Sequence, residues 1–537
     1  MNPTHGKARR LLFVLVAATI SLSTGFIACL GAQAAEARDD DKRPNVLLIM
    51  CDDLGYSDLG CYGGEIRTPN LDRLARQGMR FTQFYNCAVC VTTRAALITG
   101  LHPRQGDGGL LRDNMASIGE VMRDAGYNTA MTGKWHLGST APRRPIDRGF
   151  DEYYGLLSGC CNYFNPGQHD PEFYNGGKLR PFAHNEQILT EFPQDYYTTD
   201  AFSDHAIAVL KKLSQDEKPF FLHLCYTAPH FPLHAPEEDI ARYRGKYNDG
   251  YFALRQRRFA RQRELGILDD AWKLSQPDEK VGPWKYDYDI TPWEQVEDLV
   301  RERRRMEVYA AMVDRLDQGV GRVLKALDEL GAADNTLVMF LSDNGGCATL
   351  PSDLAGMRAY NQKLPGAADT YDFCGPGWGW AQCTPFRRYK TWCHEGGIST
   401  PLIARWPGVI EPGGITREVG HLVDIMPTLI ELGGGAYPQE RSGQPVPPAE
   451  GVSLVPVLQG KPSQERASLA WALFGSRALR QGRWKLVWGV TSRRWELYDM
   501  QTDRTETHDL AAAHPDRVAS MSKQWLEWAK KCEINVD

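Results

Sequence analysis

Cys90 stands four residues before Arg94 in the run Cys90-Val91-Thr92-Thr93-Arg94-Ala95-Ala96-Leu97-Ile98-Thr99-Gly100, which is predicted to be a short helix stopping at Gly100. A thiol at the positive end of a helix, with a guanidinium one turn on, lies where a nucleophile or an anion is stabilised. Asp52-Asp53 and Asp343-Asn344 add a set of oxygen donors suited to a hard divalent cation. Lys134, His136 and His230 contribute a permanent cation and titratable imidazoles. Taken singly, each has a plain structural explanation. A cysteine packs as a small hydrophobe, paired aspartates cap helices, Asp-Asn-Gly-Gly makes a turn, Lys-x-His sits on a loop, and His230 packs between rings.

Most of these groups follow a segment that reads as a buried strand. Residues 46–50 are a continuous apolar run ending in Cys51-Asp52-Asp53, and residues 128–132 run into Gly133-Lys134-Trp135-His136-Leu137-Gly138. Residues 220–226 lead to Ala228-Pro229-His230, and 337–341 to Ser342-Asp343-Asn344-Gly345-Gly346. Between them lie helical patterns: one capped by Asn70, one over 115–125, one over 202–213, and a long one over 302–330. This rhythm predicts an α/β fold, a large mostly parallel sheet with helices on both faces and its chemistry at the carboxyl ends of the strands. Residues 237–298 read as a surface excursion with one or two helices, and 301–305 as a solvated turn. The loop 347–386 is expected to be structureless, with Trp378 and Trp380 as substrate walls. Pro401 is expected to limit how the strand 401–406 pairs. Past a Gly- and Pro-rich boundary at 431–450, strands over 477–490 and 494–498 and a tail helix carrying Trp525 and Trp528 predict a small C-terminal α+β domain over 451–537, after a main domain over 44–440.

The length of 537 residues and 42% hydrophobic content are enough for large packed cores. A net charge of -5 with interspersed signs leaves no electrostatic footprint for nucleic acid. Lys7, Arg9 and Arg10, the apolar run 11–30 and Ala32-Gln33-Ala34 read as a signal peptide over residues 1–35. The expectation is an exported protein, periplasmic or secreted, with no membrane contact after cleavage. A retained anchor and a lipid on Cys29 are the alternatives. The 13 cysteines do not follow zinc spacings, and Cys374, Cys383 and Cys393 could cross-link their loop-rich region.

From Pro44 onward the chain resembles the formylglycine-dependent sulfatases of the alkaline phosphatase superfamily. The resemblance rests on Asp52-Asp53-Leu54-Gly55, Cys90 to Gly100, Gly133-Lys134-Trp135-His136-Leu137-Gly138, Ala228-Pro229-His230, Ser342-Asp343-Asn344-Gly345, and Lys390 five residues before Glu395-Gly396-Gly397, in the family's order. It implies hydrolysis of a sulfated small molecule or glycan, with a calcium ion held by Asp52, Asp53, Asp343 and Asn344 and completed by position 90. It further implies that Cys90 is oxidised to formylglycine by a formylglycine-generating enzyme. Arg94 would favour the nucleophilic oxygen, and Lys134, His136, His230 and Lys390 would surround the sulfate, with His136 as base and His230 or Lys390 protonating the departing alcohol. The usual signature is Cys-x-Pro-Ser-Arg or Cys-x-Ala-Ser-Arg, and here Thr92 and Thr93 hold its third and fourth positions. Two alternatives follow: a phosphate or phosphonate ester hydrolase on the same fold, or, with Cys90 unconverted, a protein that binds sulfated glycans without cleaving them.

Overall fold

The computed structural model describes residues 43–106, 109–280 and 283–536, so the predicted signal peptide lies outside the described residues. The apolar runs become strands: β1 (Asn45–Cys51), β2 (Met79–Tyr85), β3 (Asn128–Gly133), β4 (Glu152–Leu156), β5 (Phe182–His184), β6 (Gln187–Leu189), β7 (Phe220–Cys225), β8 (Thr336–Ser342), β9 (Ser399–Arg405) and β10 (Gly414–His421). They form one sheet in the order β10-β2-β9-β8-β1-β7-β3-β4-β5-β6. Its centre, β8-β1-β7-β3-β4, is parallel, while β9 runs antiparallel to both β8 and β2. β1 shows why such strands read as unbroken apolar runs. Leu47, Ile49 and Cys51 face a core built with α1 (Pro69–Arg76), α4 (Thr198–Leu213) and the helix Leu299–Glu329. Val46, Leu48 and Met50 face the opposite core, with α2 (Cys90–Thr99), α3 (Ile118–Asp124) and the helix Ile425–Gly433. Both faces are covered, so both sets of side chains must be apolar.

Several local expectations are corrected. Asn70 is not the cap of α1. Thr68 holds that position before Pro69, and Asn70 donates to the Asp317 carboxylate at 2.8 Å. The expectation for Pro401 holds by contrast: the β2–β9 pairing shifts register between Phe81 and Phe84, opposite it. Within 237–298, the helix Gly250–Glu264 buries Tyr251, Leu254, Arg255, Arg258 and Gln262, so the segment packs as part of the main core. Residues 301–305 are not a solvated turn but the first turns of the helix Leu299–Glu329, where Arg301 and Arg305 both bind Asp372 at 2.9 Å.

The loop 347–386 contains the helices Leu354–Tyr360 and Pro376–Gln382. Trp378 and Trp380 are buried and form no substrate wall. Trp378 meets Tyr251 and Trp293 edge-on, and the Arg255 guanidinium lies 3.8 Å from the centre of a Trp380 ring. All twelve described cysteines are buried free thiols, so Cys374, Cys383 and Cys393 are not cross-linked.

At the C-terminal end the strands Leu469–Leu473, Ser476–Gln481, Trp484–Gly489 and Arg494–Asp499 form an antiparallel sheet in chain order. The helix Pro515–Lys531 packs Trp525 against it. The strand expected over 477–490 is thus two strands turning at Gly482, whose φ is 56°. Among the described residues no helix is long and apolar enough to cross a membrane.

Candidate active site

Parallel strands finish at one edge, and four of them deliver the polar residues there. The ladder continues one step past the strand ends: Asp52 N–H donates to the Ala228 carbonyl (3.1 Å), Asp343 N–H to Cys51 (3.1 Å) and Lys134 N–H to Cys225 (2.8 Å). Extended past the strand ends, the pairing sets Asp52 level with Asp343 and Lys134 one position short of them. Because β9 runs the other way, its beginning lies at this same edge, and the preceding segment brings in Lys390. β2 opposes β9, ends here too, and leads to α2, with Cys90 as its first residue.

The geometry brings together all ten predicted residues. Arg94 clamps Asp343 Oδ2 through Nε (3.1 Å) and Nη2 (2.8 Å), and its Nη1 donates to the Lys134 carbonyl at 2.7 Å. Asp343 Oδ1 accepts the Asp53 N–H at 3.3 Å. Lys134 is paired with Asp52, and Lys390 Nζ lies 2.5 Å from Asp53 Oδ1, which also accepts from Asn344 Nδ2 at 2.7 Å. His230 places Nε2 3.6 Å from Asp53 Oδ2 while Nδ1 donates to the Phe231 carbonyl at 2.7 Å. His136 Nδ1 lies 3.5 Å from Cys90 Sγ. Arg94 is spent on a carboxylate and a carbonyl, so it shapes the site by positioning Asp343.

Three of these buried groups keep an oxygen without a hydrogen-bond partner: Asp52 Oδ1, Asp53 Oδ2 and Asn344 Oδ1. An unpaired buried polar atom costs about 1–3 kcal/mol, and a cation among these three neighbouring oxygens could satisfy them. Ligand atoms of Asp52, Cys90 and Asp343, and of Asp52, Asp53 and His230, lie within 4.8 Å of one another. The donor set, carboxylates and an amide oxygen, fits a hard ion such as calcium.

Titration is perturbed at these groups too, in both directions. Burial and the neighbouring Asp52 push the Asp343 carboxyl up to about 7 in spite of Arg94. Burial also acts to raise Asp53, but His230 and Lys390 hold it well below the carboxylate range. Burial, then Lys134 and Arg94, drive His136 far down, and burial takes His230 to about 3 against the pull of Asp53. Both imidazoles are neutral at physiological pH. Burial raises the Cys90 thiol even beside Lys134, so an unmodified Cys90 is a thiol and not a ready thiolate.

Support comes from the residues around these groups, of which the sequence reading passed over Tyr309 and Phe373. Tyr309, on the core face of the long helix, donates to the Asp53 carbonyl at 3.0 Å. Ser342 Oγ accepts from Leu54 N–H and donates to the Asn344 carbonyl. Asp53 and His136 both have φ of 65°, a region that costs a non-glycine residue about 1–3 kcal/mol and persists only where surroundings enforce it. Gly133 has φ of 108°, and a Cβ there would lie 1.8 Å from the Cys225 carbonyl oxygen. Thr92 and Thr93 are tied into the turn before α2: the Thr92 hydroxyl donates to the Cys87 and Val89 carbonyls, and Thr93 Oγ1 accepts the Cys87 N–H. The wall beside His230 is aromatic, with ring centres 4.0 Å apart to Phe231 and 4.4 Å from there to Phe373.

Comparison with known proteins points the same way. The sequence model described as Sulfatase matches residues 44–435, and that of the N-sulphoglucosamine sulphohydrolase C-terminal region matches residues 386–531. An uncharacterised sulfatase of Schizosaccharomyces pombe is 34% identical over 91% of this chain and 93% of its own. An arylsulfatase of Klebsiella aerogenes is 33% identical over 82% of this chain and 96% of its own. Among solved structures, Ps i-CgsB in complex with k-i-k-neocarrahexaose superposes with a TM-score of 0.65 at 26% identity, covering 91% of this chain and 93% of that one.

Proposed function

We propose, from the premise that this chain belongs to the sulfatase family and is a sulfuric ester hydrolase, that it works with calcium held by Asp52, Asp53, Asp343 and Asn344 and with Cys90 matured to formylglycine. The observation that carries this reading is the group of three buried, unpartnered oxygens around the start of α2. The sulfate is carried by an aryl alcohol or a glycan, the classes suggested by the relatives' names, and the leader expected over residues 1–35 puts that substrate outside the cytoplasm.

Bound there, calcium supplies a positive charge that lowers the pKa of an oxygen at position 90. A formylglycine hydrate at position 90 would supply two hydroxyls on one carbon, one a nucleophile toward sulfur and one whose deprotonation would release the sulfate. Asp52 and Asp53 orient Lys134 and Lys390, whose ammonium groups stay protonated and offset the charge of the sulfate. His136, kept neutral by burial, takes a proton at Nδ1 from position 90. His230 Nε2 carries the lone pair in the neutral ring, since Nδ1–H is committed to Phe231. An entering sulfate raises its pKa, and the protonated Nε2 then serves the departing alcohol, with Lys390 alongside. The Phe231 and Phe373 rings keep water from that side.

Peptide mass spectrometry across position 90, on active protein from its native host, tests the reading. An aldehyde or its hydrate is the expected result, together with turnover of an aryl sulfate well above that of the matching aryl phosphate. An intact thiol in protein that turns over sulfate esters would remove position 90 from the mechanism as written.

A further inference from the structure

At the far end of the large sheet a second group of ligating side chains converges. Glu152 on β4, His184 on β5 and His205 on α4 bring one ligand atom each within 4.8 Å of the others. The β4–β5 register sets Tyr154 opposite His184, so Glu152, two residues back, shares the face that α4 covers. His205 Nδ1 is 2.8 Å from Thr132 Oγ1, whereas its Nε2 is buried without a hydrogen-bond partner and points at Glu152 Oε1, 3.6 Å away. The ring is further fixed by stacking on Tyr154, with centres 4.9 Å apart. Lys212 Nζ takes the other carboxylate oxygen, Oε2, at 2.5 Å.

We propose that Glu152, His184 and His205 form a zinc site, distinct from the catalytic cation site, that clips strands β4 and β5 to α4 near the β6 edge of the sheet. Two ligands of a tetrahedral zinc with bonds near 2.0–2.1 Å stand about 3.4 Å apart, close to the separation of His205 Nε2 and Glu152 Oε1. The Thr132 hydroxyl accepting from Nδ1–H would leave the lone pair on Nε2, the second-shell arrangement that ligating histidines use. Lys212 leaves Glu152 a single free oxygen, suited to one bond to the metal. Two imidazoles and a carboxylate select zinc over calcium, and water completes the tetrahedron. The clip has mechanical sense. β5 is three residues long, pairs only with β4 and the equally short β6, and lies next to the sheet's open edge.

The test uses calcium-loaded, matured full-length protein, titrated with zinc chloride by isothermal titration calorimetry beside its His184→Gln and His205→Gln variants. Loss of one zinc equivalent, or at least a tenfold weaker affinity, is expected in both, with aryl sulfate turnover unchanged. His184 is exposed, so His184→Gln keeps its fold and stays informative even where His205→Gln does not. Anomalous scattering at the zinc edge from zinc-soaked crystals should place a peak among the three side chains. Equal zinc stoichiometry and affinity in wild type and His184→Gln, or zinc found only at the catalytic cation site, would overturn the proposal.

Discussion

A single guanidinium controls much of the catalytic geometry. Arg94 uses a two-pronged grip on Asp343 and a third N–H on the Lys134 backbone, so it couples α2, β8 and the turn after β3. Lysine carries the same charge but not the fork. On the proposed calcium site, Arg94→Lys is therefore expected to weaken calcium binding by about 10–100-fold, as loss of a group that orients a metal ligand does. Competition with a calcium chelator measures this, and an unchanged affinity would show that Asp343 needs no such grip. At this scale the sequence is unusually legible. The ten residues implied by the resemblance to the sulfatases all meet at one place, because each follows or leads into a strand whose buried character shows in a short window. Tyr309 escaped notice because its position in the long helix already had an apolar explanation. Its hydroxyl's partners, the Asp53 carbonyl and the Asp58 carboxylate, lie 256 and 251 residues away.

The elements show where local reading stops. Strand ends and the 299–329 helix follow from periodicity, whereas the fate of Trp378 and Trp380 depends on Tyr251, Phe252 and Arg255, more than 120 residues earlier. The same holds for Arg301 and Arg305, whose hydrophilic appearance conceals their pairing with Asp372. No window of sequence contains both partners. The burial of Trp378 makes a distinct prediction: Trp378→Ala should cost about 3–5 kcal/mol of stability while KM for an aryl sulfate stays unchanged. Thermal unfolding and steady-state kinetics on one preparation check both halves. A raised KM with full stability would restore the tryptophan to the substrate wall.

Across the whole molecule, buried charges fasten the C-terminal portion to the body that carries the site. Glu450 accepts from the His102 N–H (2.7 Å), Arg104 (2.9 Å) and Lys531 (2.7 Å) of the last helix. Burial opposes its ionisation, but His102, Arg104 and Lys531 bring it from 4.5 down to about 2. A carboxyl held below its ordinary value stabilises the fold above that value and ceases to do so as pH falls through the lowered one. Glu450→Gln should thus lower stability by about 1.5–3 kcal/mol at neutral pH, and the gap from wild type should close between pH 4.5 and about 2. Denaturant unfolding across that range checks it, and a gap that widens in acid would reverse the assignment. Glu395 makes a second fastening, binding Tyr85, Ser399, Lys485 and Arg504 from four segments just beyond Lys390. That arrangement imposes a timetable on maturation. Cys90 is 5% exposed once the chain has closed, so the oxidising enzyme of the proposed maturation would have to reach it beforehand. Lys390 leaves the ribosome 300 residues after Cys90, and at roughly 5–20 residues per second the delay is about 15–60 s. The order of synthesis thus gives the residue at the head of α2 an interval of openness that the finished protein withdraws.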